Sequence, residues 1–451
     1  MTSADVAMGA IQSTDELNPH KVSQLSVDEQ SSRASAAVRA RYEALTPNSR
    51  AAYERTVQVV AGGTSRQTGH WFPYPLTIAR GAGSRVWDVD GREYLDLINN
   101  YTSLIHGHAY PPVVEVIHDR LARGTAWSAN NLDQIELAAQ IVHRIPSIDS
   151  IRFTNSGSEA AGLALQIARS LTGRNKVLMA RFGYHGVIAE FQSGSLDQPG
   201  PATLVARFND AHSFAEQLHA HRKDIAAVFL EPMLGAGGVL PARPDFLRDV
   251  IAATRAAGAM FVLDEVQTFR MSTGGLQQVF DVTPDLTLFG KFIGGGFPVG
   301  AVGGNADIMR AFDPAQLRVY HSGTFNANPI TMAAGSVTVR DLTAERIRTM
   351  EQLAERLRTG LIAAATRLGL PISVNQLGSL LNVFFMPHPP ETAWSRSDQE
   401  FMQRFHLAAL NHGLFFAHRG FFVLSTVLTE ADIDDALARA AAAMADAAAE
   451  D

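Results

Sequence analysis

From Ser150 to Lys291 short apolar runs alternate with helix-like stretches, and this alternation constrains the fold more than any other feature. "SIRFTNSG" is apolar and closes on turn residues, and "SEAAGLALQIARSLTG" follows with helical composition and a terminal glycine. "KVLMARFGYHG", "ATLVARFND" and "AAVFLEP" read as further strands with turns. "PDFLRDVIAATRAAG" reads as a helix with proline near its start and glycine at its end, and "AMFVLDEV" and "LTLFGK" as two more strands. Strands buried on both faces appear as continuous apolar runs, so the pattern predicts an α/β fold: a mostly parallel sheet flanked by helices. After Thr331 the pattern changes to the long helix "AERIRTMEQLAERLRTGLIAAATRLG" and the short strands "SLLNVFFMP" and "LFFAHRGFFVLS", a smaller α+β domain. The Ala-rich "DIDDALARAAAAMADAAAED" predicts a helix, amphipathic at first and frayed later. Upstream, "LTIARGAGSRVWDVDGREYLDL" reads as a β-meander turning at Asp90-Gly91, expected to pack with the C-terminal domain.

These readings divide the 451 residues into an extension over 1–40, a segment over 41–95 that joins the small domain, a large domain over 96–335 and the small domain over 336–451. Residues 1–40 are polar and Ser-rich, with neither a basic nor an apolar targeting stretch. They predict a mobile extension that turns helical near Ala36, and a cytoplasmic location. A net charge of -7 gives no polyanion-binding surface, and no apolar run is long enough to span a bilayer. Cysteine is absent, which removes disulfides, thiolate nucleophiles and thiolate metal sites. His106-Gly107-His108 has a spacing that could seat a metal but lacks a third ligand, so no metal is expected.

In open parallel sheets, ligands bind beyond the carboxyl ends of the strands. The residues at those positions are Ser156, Gly157, Ser158 and Glu159; then Gly183, Tyr184, His185 and Gly186; then Glu231; then Asp264, Glu265, Val266 and Gln267; then Lys291. Each has a plain alternative. The serines and acids could be helix caps, Tyr184 could be core, and Lys291 could reach solvent along its stem. Together they meet one chemical need. A phosphate calls for N–H groups at a helix start, and a flat ring calls for an aromatic face. A ring nitrogen that keeps its proton calls for a buried carboxylate, and an aldehyde calls for a desolvated amine. Pyridoxal 5'-phosphate requires all four, and Gly294 to Gly296 let the chain turn tightly beside Lys291.

In "TNSGSEA", "GYHG", "EP", "LDEVQT", "GKFIGGGFPVGAVGG" and "HSGTFNANP", taken in order, the chain resembles the class III, fold-type I aminotransferases from about Gly62 onward. The resemblance implies a pyridoxal-phosphate transferase with Lys291 as the Schiff-base lysine and proton carrier. It implies Asp264 at the ring nitrogen, Tyr184 on the ring face, Ser156, Gly157 and Ser158 at the phosphate, and Gln267 near the phenolic oxygen. His185, Glu231 and Val266 complete the cofactor-contacting set. Thr324 resembles a residue that reaches the phosphate of a partner subunit, which implies a homodimer with shared sites. Ser158 stands where many relatives have threonine.

"TSRQTGHWFPYPLTIARGAGSRVWDVDG" resembles the β-amino-acid aminotransferases, with glutamate-1-semialdehyde aminomutase as their neighbour. Arg66 falls where that group places a carboxylate-binding arginine, in Thr64-Ser65-Arg66 rather than the aminomutase's Asn-Ser-Pro-Val-Arg. Arg419 aligns with a second arginine that could serve the 2-oxo acid. Trp71, Phe72 and Tyr74 could line an apolar pocket or pack beneath the meander. The expected reaction is ping-pong transfer of an amino group from an aryl or alkyl β-amino acid to a 2-oxo acid. The alternatives are a 2,1-aminomutase, a transaminase of amines lacking a carboxylate, and a non-catalytic pyridoxal-phosphate-binding protein.

Overall fold

The computed structural model describes residues 36–191, 200–392 and 395–449. Residues 1–35 of the expected extension lie outside this range, and a helix opens at Ala36. A three-stranded meander comes first: β1 (Ile78–Ala82), β2 (Arg85–Asp88) and β3 (Glu93–Asp96). Its turn is held by Asp88, whose Oδ1 accepts from the N–H groups of Asp90 and Arg92 at 3.0 and 2.8 Å.

The large sheet contains β4 (Ser150–Thr154), β5 (Lys176–Ala180), β6 (Thr203–Ala206) and β7 (Ile225–Leu230). After a short hairpin, β8 (Met233–Leu234) and β9 (Leu240–Pro241), it continues with β10 (Met260–Asp264), β11 (Leu286–Gly290) and β12 (Gly300–Gly304). The strand order is β4-β12-β11-β10-β7-β5-β6, and β12 alone runs against the others. All six strands expected from apolar runs are present. β12 is the seventh, and its "GAVGG" contains no apolar run to mark a strand. Glycine is required there: a Cβ at Gly300 would lie 2.0 Å from the Ser156 carbonyl oxygen, and one at Gly303 would lie 2.8 Å from Ile148.

Alternation along the strands divides the core. Ala227, Phe229 and Val262 pack with the helix Gly157–Thr172 on one face. Val228, Leu230, Phe261 and Leu263 pack with Phe214, Phe246 and Leu247 of the helices Ala211–Ala220 and Pro244–Ala256 on the other. Period 2 thus buries both faces of each strand.

The second core gathers both ends of the chain. Val38, Tyr42, Val86 and Tyr94 join Leu353, Leu410, Phe416 and Ile433. β13 (Ser373–Leu377), β14 (Leu380–Phe384) and β16 (Phe421–Val423) form a small antiparallel sheet, while β15 (Leu414–Phe415) pairs in parallel with β3. The last helix, Glu430–Ala448, keeps a buried face from Ile433 to Ala447, so it packs along its length instead of fraying. It starts with a capping box between Thr429 and Asp432. Among the described residues no helix is long and apolar enough to cross a membrane.

Candidate active site

β4, β5, β7, β10 and β11 all point the same way, so their carboxyl ends meet at one edge of the sheet. A cavity of about 380 Å³ opens there. It is lined by Ser156, Gly157, Ser158, Tyr184, His185, Glu231, Asp264, Val266, Gln267 and Lys291, and by Arg66 from the N-terminal segment.

Lys291 follows β11 directly, at a φ of +53°, a conformation disfavoured for any residue with a Cβ. Its side chain is open to the cavity but shielded from bulk solvent. Burial holds its pKa below the ordinary lysine value, against the opposing pull of Asp264 and Glu231. Asp264 ends β10 and is buried. Its Oδ2 lies 2.8 Å from His185 Nδ1, and its Oδ1 accepts from Val266 N–H at 3.0 Å. Glu231 is also buried, and its carboxylate oxygens accept from Tyr184 N–H at 2.8 Å and Gly235 N–H at 3.1 Å. Burial pushes its pKa up to about 7.

The helix Gly157–Thr172 starts at the cavity wall, where Ser156 caps it by accepting from Glu159 N–H at 3.1 Å. Ser158 Oγ accepts from Val187 N–H at 2.9 Å. Among the described residues neither hydroxyl donates a hydrogen bond. Gly186 has a φ of +94°, and a Cβ there would meet Ser158 Oγ at 2.4 Å, so the loop closes tightly on this corner.

This donor set fits a phosphorylated, flat, electrophilic cofactor. The helix N-terminus with two hydroxyls suits an anion. Two buried atoms, Gln267 Oε1 and His185 Nε2, have no hydrogen-bond partner among the described residues. A desolvated amine, a buried carboxylate and an aromatic ring share one cavity. The family model for class-III aminotransferases matches residues 67–444.

The chain is a class-III aminotransferase.

Beta-phenylalanine transaminase from Variovorax paradoxus is 38% identical over 402 residues, covering 87% of this chain and 92% of that protein. Glutamate-1-semialdehyde 2,1-aminomutase from Rhodopirellula baltica is also 38% identical, over 87% of this chain and 95% of that protein. Among solved structures, an omega-transaminase from Sphaerobacter thermophilus superposes with a TM-score of 0.84 at 38% identity, covering 88% of this chain and 97% of that one. The fold is fold-type I, and the aminotransferase depends on pyridoxal phosphate.

Of the residues expected to contact cofactor or substrate, Thr324, Arg419, Trp71 and Tyr74 lie outside the cavity lining of the aminotransferase. Thr324 is exposed on the loop between Tyr320 and Ala327. Arg419 lies behind the wall. Its Nη2 donates to the Gly235 carbonyl at 3.4 Å, its Nε has no partner among the described residues, and its guanidinium stacks on Phe421. Trp71 and Tyr74 are corrections. Trp71 packs edge-on against His406 and beside Phe415, in the small-domain core. Tyr74 is buried with its hydroxyl 3.1 Å from Thr46 Oγ1. The chain turns away from the cavity after Arg66, so adjacency to that arginine misplaces both rings. The sequence reading also missed Asn100, Tyr101 and Ser103, which line the cavity. They belong to no strand of the large sheet, so the rule of strand ends passes over them.

Proposed function

We infer that this aminotransferase moves the amino group of an aryl or alkyl β-amino acid, β-phenylalanine-like, to a 2-oxo acid such as 2-oxoglutarate or pyruvate, by a ping-pong reaction. The observation that carries the reading is Arg66. It shares a cavity with Lys291, its Nη1 donates to the neutral Asn100 Oδ1 at 2.6 Å, and no carboxylate pairs with it among the described residues. A guanidinium left uncompensated in a cleft clamps a carboxylate through two parallel hydrogen bonds. A β-amino acid carries its carboxylate one carbon further from the amine than an α-amino acid does, so the clamp must stand at a different distance. The 38% identity to a β-phenylalanine transaminase supports the same choice.

Bound pyridoxal phosphate supplies the electron sink that acidifies the amine-bearing carbon. Lys291 Nζ, its ammonium form disfavoured by burial, takes that proton and returns one. Asp264, steadied by His185 and Val266, holds a proton at the ring nitrogen. Tyr184 gives the ring a face and Gln267 meets its phenolic oxygen. Ser156, Gly157 and Ser158 cradle the phosphate.

Thr324 completes the site of a second copy in a homodimer. In support, Trp127, Leu132 and Phe325 are 45%, 79% and 61% exposed. Their segments are tied together by Asn131 donating to Ala327 O and Asn328 donating to Thr125 O. An apolar surface of this kind calls for a cover.

A second reading, a 2,1-aminomutase that moves nitrogen within one molecule, draws on the 38% identity to the R. baltica enzyme. An added amino acceptor would not accelerate such an enzyme. Arg66→Ala tests the substrate assignment. Loss of charged hydrogen bonds raises the KM for β-amino acids about 10- to 100-fold while simple amines keep theirs. An unchanged KM for β-amino acids overturns the assignment.

A further inference from the structure

Arg66 rides on a short loop closed by local contacts: its N–H donates to Thr64 Oγ1 at 3.1 Å and its carbonyl accepts from Gly69 N–H at 2.9 Å. Gly62 and Gly63 before it have φ of +69° and +68°, and Arg66 itself is exposed. Two contacts hold the loop from the opposite wall. Asn100 Oδ1 accepts from Arg66 Nη1 at 2.6 Å, and the Tyr101 hydroxyl donates to the Thr68 carbonyl.

Both contacts come from one turn of unusual geometry. Asn99, Asn100, Tyr101 and Thr102 have φ of 47°, 48°, 53° and 77°, four consecutive left-handed residues with no glycine among them. Such a run is sterically disfavoured for residues with a Cβ and persists only where the surroundings over-determine it. They do so here. Buried Asp96 Oδ1 accepts from the N–H groups of Ile98 and Asn99 at 2.8 and 3.0 Å. Its Oδ2 lies 2.6 Å from His108 Nε2, and the Asn99 amide donates to Val423 O at 2.8 Å. The His106-Gly107-His108 motif thus acts as a brace: His108 holds Asp96, while His106 is engaged by Thr426 and the Thr338 carbonyl.

Resting on the reading of Arg66 as the carboxylate clamp, we propose that the left-handed turn 99–102 determines specificity for carboxylate-bearing substrates. Asn100 and Tyr101 are positioning residues. They fix the Arg66 loop over the cavity, and the neutral amide of Asn100 does so without neutralising the guanidinium. A carboxylate in the same place would compete with the substrate.

The test uses the holoenzyme with two variants. Asn100→Asp keeps a residue that tolerates the left-handed conformation and changes only the charge. Tyr101→Phe removes only the tether to Thr68. The readouts are the ratio of kcat/KM for β-phenylalanine to that for 1-phenylethylamine, and the calorimetric Kd of 3-phenylpropanoate, a carboxylate without an amine. Asn100→Asp is expected to lower the ratio at least tenfold through KM and to weaken 3-phenylpropanoate by a similar factor. Tyr101→Phe is expected to lower the ratio by a few-fold. Both readouts unchanged in the two variants, with Arg66→Ala still lowering the ratio, would overturn the proposal and leave the substrate reading standing. A ratio that survives Arg66→Ala as well would overturn both.

Discussion

Glu231→Gln isolates the electrostatics of the site from its chemistry. The buried carboxyl titrates near 7 instead of its ordinary 4.5, with desolvation as the largest cause. Below pH 4.5 the group is protonated in both folded and unfolded chains. Between 4.5 and about 7 the unfolded chain ionises while the folded chain keeps its proton, so stability falls as pH rises. Above about 7 the loss is complete. At about 1.4 kcal/mol per pH unit, the gap amounts to on the order of 3 kcal/mol. Glutamine cannot ionise, so the variant lacks this slope. It also loses one acceptor for the Tyr184 and Gly235 N–H groups, but that cost does not vary with pH. The assay is the unfolding midpoint of the cofactor-free protein at pH 5, 6, 7 and 8 for both chains. The variant is expected to gain on the native chain steadily up to about pH 7 and no further. A difference that stays constant across the range would refute the upward shift of Glu231 by burial.

Other outcomes follow from the same site. Lys291→Ala is expected to remove the long-wavelength absorbance of the bound cofactor and to lower turnover by at least about 10²–10⁴-fold, the size of a general-base contribution, with unchanged circular dichroism. Normal activity in that variant would end the proposed role. Gly186→Ala forces a Cβ to within 2.4 Å of Ser158 Oγ at a φ of +94°. It is expected to cost about 1–3 kcal/mol of stability and to weaken retention of the phosphate end of the cofactor, read by dialysis against phosphate buffer. Light scattering is expected to give twice the 48.7 kDa chain mass, and a Phe325→Asp variant to shift it toward monomer.

The large sheet was legible because strands buried on both faces are apolar throughout. β5, β7, β10 and β11 contain little else, and their carboxyl ends carry the polar residues that converge on the cavity. β12 was not legible. Its glycines serve close packing inside a sheet, yet glycine-rich sequence signals a turn. The helix Gln399–Asn411 was passed over, although Met402, Phe405 and Leu410 mark its buried face. Trp71 and Tyr74 show that sequence neighbourhood does not carry direction, since the chain turns into the small-domain core just after Arg66. Asn99 and Asn100 tolerate the left-handed conformation, but Tyr101 and Thr102 carry no local signal for it. Asp96 starts the turn by accepting from the Ile98 and Asn99 N–H groups, and His108 holds Asp96 in place, but the contact with Arg66, 34 residues away, emerges only in three dimensions.

Amino-group transfer from a β-amino acid is read from a visible spectrum of the holoenzyme before and after β-phenylalanine is added without an acceptor. The expected result is loss of the long-wavelength cofactor band, growth of a band at shorter wavelength, and return of the original spectrum when 2-oxoglutarate or pyruvate is added. A long-wavelength band that ignores β-phenylalanine but responds to α-amino acids or simple amines would contradict the substrate assignment.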